Sequence, residues 1–332
     1  MPQNIRPFQS PQDFDIMLEL IEAGFQYPEN PDWNIQDDEK ESLMDTFRTA
    51  KNIWPLIRFL RIFSPILADL MQGYLYEEDE KAVGLVNFGR QRNTPEWYIG
   101  NVTVLPEYRR RGIARQLIQA TVDELVRRNA KLITLEVIDE NKPAYDLYSK
   151  IGFEGYSSSS QYDFVQEDSI QTLPLPEQYT CKEISRSEWR IFLEFFQRIT
   201  PAEITRYEPV REERFHPPVV GLILGPLIEL LSGNSRKRFA IFEQNGQMVA
   251  FGRYQYRRRP GGINSAEIHI DPTHNELANH LVSYVLSNIQ TASPGRRIEL
   301  HLKDWQPSLG GAAENLGCKK RCSYHKLGML FQ

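Results

Sequence analysis

Residues Asn101–Phe153 read NVTVLPEYRRRGIARQLIQATVDELVRRNAKLITLEVIDENKPAYDLYSKIGF, and their patterning decides the fold. In the run Tyr98–Leu105, Tyr98, Val102 and Val104 alternate with Ile99, Thr103 and Leu105. That β-branched and aromatic sequence is expected of a strand buried on both faces. Pro106 ends it. After the basic turn Arg109-Arg110-Arg111-Gly112, Ile113, Leu117, Thr121 and Leu125 recur every fourth residue, so a helix should run to about Arg128. Lys131–Ile138 is a second apolar strand, and Pro143 then suits a first helical turn. Ala144, Leu147, Tyr148 and Ile151 share one side of a short helix that Gly152 ends.

The turn at 109–114 has the chemistry of an anion site. A helix N-terminus presents orphan N–H groups and roughly half a positive charge. Gly112 removes the Cβ that would hold an anion off, Ala114 keeps the first helical turn slim, and three arginines add positive potential. Taken alone, the same residues describe an ordinary basic bend.

Two motifs in the right order narrow the choice. V-x-P-x-x-R-x-x-G-I-A (Val104 to Ala114) and N-x-x-A-x-x-L-Y-x-K-x-G-F (Asn141 to Phe153) together resemble the acetyl-CoA-binding core of the GNAT superfamily of N-acetyltransferases. The likeness is close over residues 80–155 and holds elsewhere in outline. It implies an α/β (α+β) fold, a mixed and mostly antiparallel sheet flanked by helices. It also implies that the cofactor pyrophosphate lies on the backbone of Arg109, Arg110, Arg111, Gly112, Ile113 and Ala114. The pantetheine arm would pair with Val102, Thr103 and Val104, Asn141 and Ala144 would complete the cofactor contacts, and Tyr148 would aim its hydroxyl at the sulfur.

Elementary acid–base chemistry is consistent with these roles. A thiol of pKa ~8.5 leaves as thiolate, and a phenol of pKa ~10 beside it can hydrogen-bond to it or protonate it. An alkyl ammonium of pKa ~10.4 must lose a proton before it attacks, which calls for an acceptor. Glu96, just upstream on the first strand, is the expected base, and Glu136 on the facing strand is the alternative. No cysteine falls inside the matched stretch, so transfer should be direct, in a ternary complex, rather than through an acyl-cysteine.

The rest of the chain bounds the partners. A net charge of −5 over 332 residues gives no reason to expect nucleic acid, and the runs Arg236–Arg238 and Arg257–Arg259 read as solvated loops. Val219–Leu231 is the longest apolar stretch, but it is short of a membrane span and contains Pro226 and Glu229. The first residues lack a signal pattern. Three cysteines, Cys181, Cys318 and Cys322, do not make a disulfide framework or a metal spacing, so a reducing cytoplasm and no metal are expected. No sequence feature specifies an oligomeric state.

Length predicts two domains. Ile5–Phe8 reads as a strand and Gln12–Ala23 as a helix. Asp37–Arg48 and Leu56–Gln72 read as further helices, with Pro55 and Pro65 as breakers. Tyr74–Tyr76 and Lys81–Arg90 form a hairpin, Ser157–Phe164 is the last strand of the first domain, and Gln166–Glu177 is a linker. The order then repeats. Glu183–Phe196 matches the start of the chain, Phe239–Tyr256 the hairpin, and Glu267–Ile270 with Leu277–Ile289 the strand and helix around the basic turn. Arg297–Leu302 and Leu316-Gly317-Cys318 close the repeat. Two tandem GNAT-like folds follow, at 1–165 and 178–332. In the second, Thr273-His274-Asn275-Glu276-Leu277 replaces the arginine–glycine turn, and no tyrosine precedes Leu316. The expected activity is therefore acetyl transfer from acetyl-CoA to a primary amine, on a small molecule or a peptide, in the first domain. The alternative is an acetyl-CoA-binding sensor or scaffold without catalysis.

Overall fold

The structure, a computed structural model, describes residues 3–61, 69, 71–92, 94–165, 169–216, 225 and 229–331. Two units divide the chain, Met1–Tyr156 with His325–Gln332 and Ser157–Tyr324.

In the first unit, β1 (Ile5–Pro7), α1 (Phe14–Gly24) and α2 (Asp37–Leu60) precede the sheet strands β2 (Gln72–Glu78), β3 (Lys81–Arg90) and β4 (Glu96–Val104). α3 (Ile113–Arg127), β5 (Leu132–Ile138) and α4 (Lys142–Ile151) follow. β1 to β4 pair antiparallel in order, and β4 runs parallel to β5. The β2–β3 turn places Asp79 and Glu80 both at positive φ, the conformation that a tight two-residue hairpin requires. Asp37–Leu60 is one helix through Pro55, not two broken there, because Trp54 is buried edge-on against Phe14 and Phe47 packs beside it. Of the expected helix Leu56–Gln72, residues 62–68, with Phe63 and Pro65, lie outside the described residues.

β6 (Glu154–Phe164) leaves the first unit at Tyr156 and joins the second. There β7 (Tyr179–Glu183), α5 (Trp189–Ile199) and the short helices α6 (Ala202–Thr205) and α7 (Glu212–Phe215) come first. The strands β8 (Asn234–Glu243), β9 (Met248–Arg257) and β10 (Asn264–Ile270) follow. α8 (Ala278–Ala292), β11 (Ile298–Lys303), α9 (Pro307–Asn315) and β12 (Lys319–Leu330) complete the chain. The second unit thus repeats the first, with an antiparallel β7–β8–β9–β10 set and β10 parallel to β11.

The last strands depart from the sequence expectation. Ser159–Phe164 pairs with β11, and Tyr162 and Phe164 fill the second core rather than closing the first. Beside β5 in the first unit stands the end of β12: Leu327 is buried in the first core, and Phe331 N–H donates to Lys131 O at 3.0 Å. The two units are alike in pattern, so alternation along either strand could not say which core would take it. The linker region is also tied down. Ile170 N–H donates to Gln290 Oε1 and Leu173 N–H to Ser283 Oγ, both at 2.9 Å, which lays it along α8. Of the two basic runs read as loops, only Arg258 and Arg259 lie in an exposed bend as expected. Arg236–Arg238 lies within β8, and Arg257 ends β9 buried, donating to Gly261 O at 3.2 Å.

Candidate active site

β4 carries the feature from which the site is built. Its register against β3 slips between Val86 and Phe88, so Gly100 and Asn101 bulge out opposite Asn87. Pairing with β5 runs from Glu96↔Leu132 to Ile99↔Leu135 and stops there. Beyond the bulge, Val102, Thr103 and Val104 stay paired to β3 while β5 has parted from them. That leaves a notch with the backbone edge of an extended strand along one side, a fit for an amide-bearing chain added as a further strand.

The notch leads to the N-terminus of α3. Gly112 is its cap residue at φ +78, a left-handed conformation that favours glycine, and a Cβ there would meet nothing within 4 Å. Arg110, at φ +62, is exposed. Ile113 is buried in the core and Ala114 packs half-buried against it. The arginines divide their work. Arg109 donates to Gly24 O at 2.6 Å and Val104 O at 3.2 Å and lies over the Tyr27 ring, so its side chain braces the turn against α1. Arg111 reaches Glu78 and Glu107 O, both near 3.3 Å, at the surface. For these two, the contribution to an anion is backbone and field rather than a free guanidinium.

On α4, Asn141 is the cap: its Oδ1 accepts from Ala144 N–H at 3.3 Å, leaving the amide NH₂ to donate outward. Three residues from the far end of that helix, Tyr148 is buried edge-on to Phe153. Burial, with Tyr27 adding to it, pushes its phenol well above the ordinary tyrosine range. Tyr148 is therefore a neutral hydrogen-bond donor at neutral pH.

The two candidate bases part company here. Glu96 is buried at the start of β4, beside Thr94 and in register with Leu132. Six residues separate it from Val102, about 20 Å along a strand, so it sits at the other end of β4 from the notch. What lies near Tyr148 is Tyr98. It is 38% exposed, in register with Thr134, and its phenol is raised first by burial, then by Glu136 and Tyr148, against the opposing pull of Lys326. Glu136 Oε1 is 3.3 Å from Lys326 Nζ, a lysine 8% exposed that arrives on β12, and the neighbouring His325 pairs with Asp139. In the sequence Tyr98 reads only as a strand aromatic. Lys326 is separated from the matched stretch by the whole second unit, and no local spacing points to it.

The corresponding turn of the second unit is built differently. Asp271 Oδ1 accepts from Thr273 N–H at 3.0 Å and from its hydroxyl at 2.7 Å, so a carboxylate of the chain already caps that end. Glu276 accepts a hydrogen bond from the Tyr179 hydroxyl at 2.5 Å. Buried Leu309, Ala312 and Ala313 occupy α9, where α4 carries Tyr148.

A profile of the acetyltransferase (GNAT) family matches residues 35–153. The chain carries a GNAT acetyltransferase domain. N-alpha-acetyltransferase 30 of Schizosaccharomyces pombe is 33% identical over 79 residues, 24% of this chain and 53% of that protein. The [ribosomal protein bS18]-alanine N-acetyltransferase of Escherichia coli K12 is 33% identical over 79 residues, 23% of this chain and 53% of that one. The chain thus spans about half the length of the curated relatives it matches. Among solved structures, a tandem GNAT protein from the clavulanic acid biosynthesis pathway aligns over 98% of both chains at TM-score 0.63 and 12% identity. A GCN5-related N-acetyltransferase from Sphaerobacter thermophilus aligns over 99% of this chain and 96% of its own, at TM-score 0.65 and 14% identity. At that identity the likeness is one of fold, and it extends over both units of this GNAT-domain chain.

Proposed function

We propose that the first unit transfers an acetyl group from acetyl-CoA directly to a primary amine, with a peptide N-terminus as the first acceptor to try. The notch beside Val102–Val104, leading to the Gly112 turn, with buried Tyr148 on the helix after β5, carries this reading. A thioester co-substrate supplies an activated acyl carbon and a thiolate leaving group. In this reading the strand edge at Val102–Val104 orients the arm, the N–H groups of residues 110–114 hold the pyrophosphate, and the Asn141 amide donates to the arm. Tyr148, kept neutral by burial, donates to the sulfur as its charge develops. Tyr98 accepts a hydrogen bond from the incoming amine, and Glu136, held by Lys326, takes its proton directly or through water. The peptide acceptor rests on relatives named as N-alpha-acetyltransferases and as a ribosomal-protein alanine N-acetyltransferase. Free thiols at Cys181, Cys318 and Cys322 fit a reducing, cytoplasmic setting.

The test is coenzyme A release on incubating the protein with acetyl-CoA and pooled amines that include free peptide N-termini. Turnover on any member supports the enzyme. Saturable acetyl-CoA binding with no turnover on peptides, polyamines or amino sugars makes the protein a sensor, and absence of binding removes both readings.

A further inference from the structure

Arg236 and Arg238 lie two apart in β8, so their side chains share one face of the second unit's sheet. In register across β9, Arg238 stands opposite Arg253 and Arg236 opposite Gln255. Like charges directly opposite on a sheet destabilise it. The crowding is tighter than one pair. Arg186, from the turn before α5, joins them, and burial together with Arg186 and Arg253 pulls both β8 guanidinium groups below the ordinary arginine range, Arg238 to about 10.

Arg236, Arg238 and Arg253, with Gln255, Ser265, Glu267 and His301, line a concavity of about 470 Å³ on β8 to β11, and Arg186 is close enough to act on both β8 arginines. Its carboxylates are largely committed. Glu267 accepts from Arg253 at 2.7 Å and meets His269 Nε2 at 2.9 Å, while Glu229 accepts the Arg236 backbone N–H. Lys237, on the other face of β8, is paired with Glu183 at 3.0 Å. Among the described residues, neither Arg186 nor Arg238 makes an ion pair with a carboxylate. Three guanidinium groups therefore line the concavity, with the charge of Arg186 acting on two of them, where two acids of the chain are already engaged.

We propose that this face of the second unit binds a small, multiply charged oxyanion, a phosphate- or carboxylate-bearing molecule, gripped by Arg186, Arg238 and Arg253. Planar guanidinium forks match both groups in bidentate fashion, and strands hold them in fixed register. The anion removes the like-charge repulsion that the sequence has placed across β8 and β9. The second unit, whose α8 end is capped by its own Asp271, would thus recognise an anion through its sheet face instead of through a helix-terminal turn.

Isothermal titration of the full chain with pyrophosphate, and separately with citrate, at ionic strength held constant with NaCl and with saturating coenzyme A present, tests this. At least one anion is expected to bind saturably, and at least tenfold more weakly to Arg238→Gln. Preference for pyrophosphate marks a phosphate ligand, preference for citrate a carboxylate. If Arg238→Gln fails to fold by circular dichroism, Arg186→Gln gives the same reading. No saturable binding of either anion, or affinity unchanged in the folded variant, overturns the proposal. The readout is anion binding governed by second-unit arginines, so it is independent of whether the first unit transfers acetyl groups.

Discussion

Tyr148 gives the sharpest residue-scale test, because its phenol is buried, neutral and placed on the helix that follows the notch. Tyr148→Phe is expected to lower kcat by roughly 10²-fold while KM for acetyl-CoA moves little, the scale of one proton-donating contact. Steady-state kinetics with an identified acceptor checks it, and a kcat within a factor of two of the native protein rules the role out. The two glutamates should separate. Glu136→Gln is expected to cost about tenfold or more in kcat/KM for the amine, whereas Glu96→Gln, about a strand's length away, should leave kcat near native whatever it does to stability. His280 supplies a pH effect whose sign follows from its surroundings. It is buried on α8, its Nδ1 donates to Leu173 O, and burial holds it below the ordinary histidine range despite that bond. The unfolded chain then binds a proton that the folded chain resists, so its contribution is complete above the unfolded pKa near ~6.5 and is lost as pH falls below it. Thermal midpoints measured from pH 7.5 down to 5.5 should fall, and His280→Gln should flatten that slope.

Between elements, two glycines near the notch separate binding from packing. At Gly112 an added Cβ meets no atom but must sit at φ +78, a strain of about 1 kcal/mol. Gly112→Ala should thus fold with a midpoint only a few degrees lower, yet bind coenzyme A at least tenfold more weakly by calorimetry. At Gly24 the same Cβ would stand 1.7 Å from Thr103 Oγ1, between the end of α1 and β4. Gly24→Ala is expected to cost ~1–3 kcal/mol by denaturant titration, as overpacking does, and to loosen the turn that Arg109 anchors on Gly24 O. Unaltered stability there would show that α1 and β4 can part without penalty.

For the molecule as a whole, the end of the chain is expected to govern the first unit. Leu327 is fully buried in the first core, and Lys326 beside it holds Glu136. Leu327→Ala should lower stability by ~2–5 kcal/mol, the usual range for a leucine truncated in a packed core. Lys326→Met should leave the fold largely intact but reduce turnover of the amine, with Lys326→Arg restoring part of it. Chemical denaturation and kinetics on the same preparations separate the two effects, and Lys326→Met with native turnover would remove that lysine from the site.

The local elements were legible because their causes are local. Alternation marked β4 and β5, fourfold spacing marked α3, and a left-handed glycine bracketed each of α3 and α4, at Gly112 and Gly152. The same short-range patterns, with the two motifs, were enough to point to the GNAT domain that the family profile matches. The sequence does not rank Glu96 against Glu136, because distance along a strand says nothing about where β4 and β5 separate; the bulge at Gly100 and Asn101 decides that. Only tertiary structure could assign Ser157–Phe164 and His325–Leu330 to their cores. Both segments alternate in the same way, and the choice between two similar sheet edges is made by hydrogen bonds and buried side chains more than a hundred residues away in the chain.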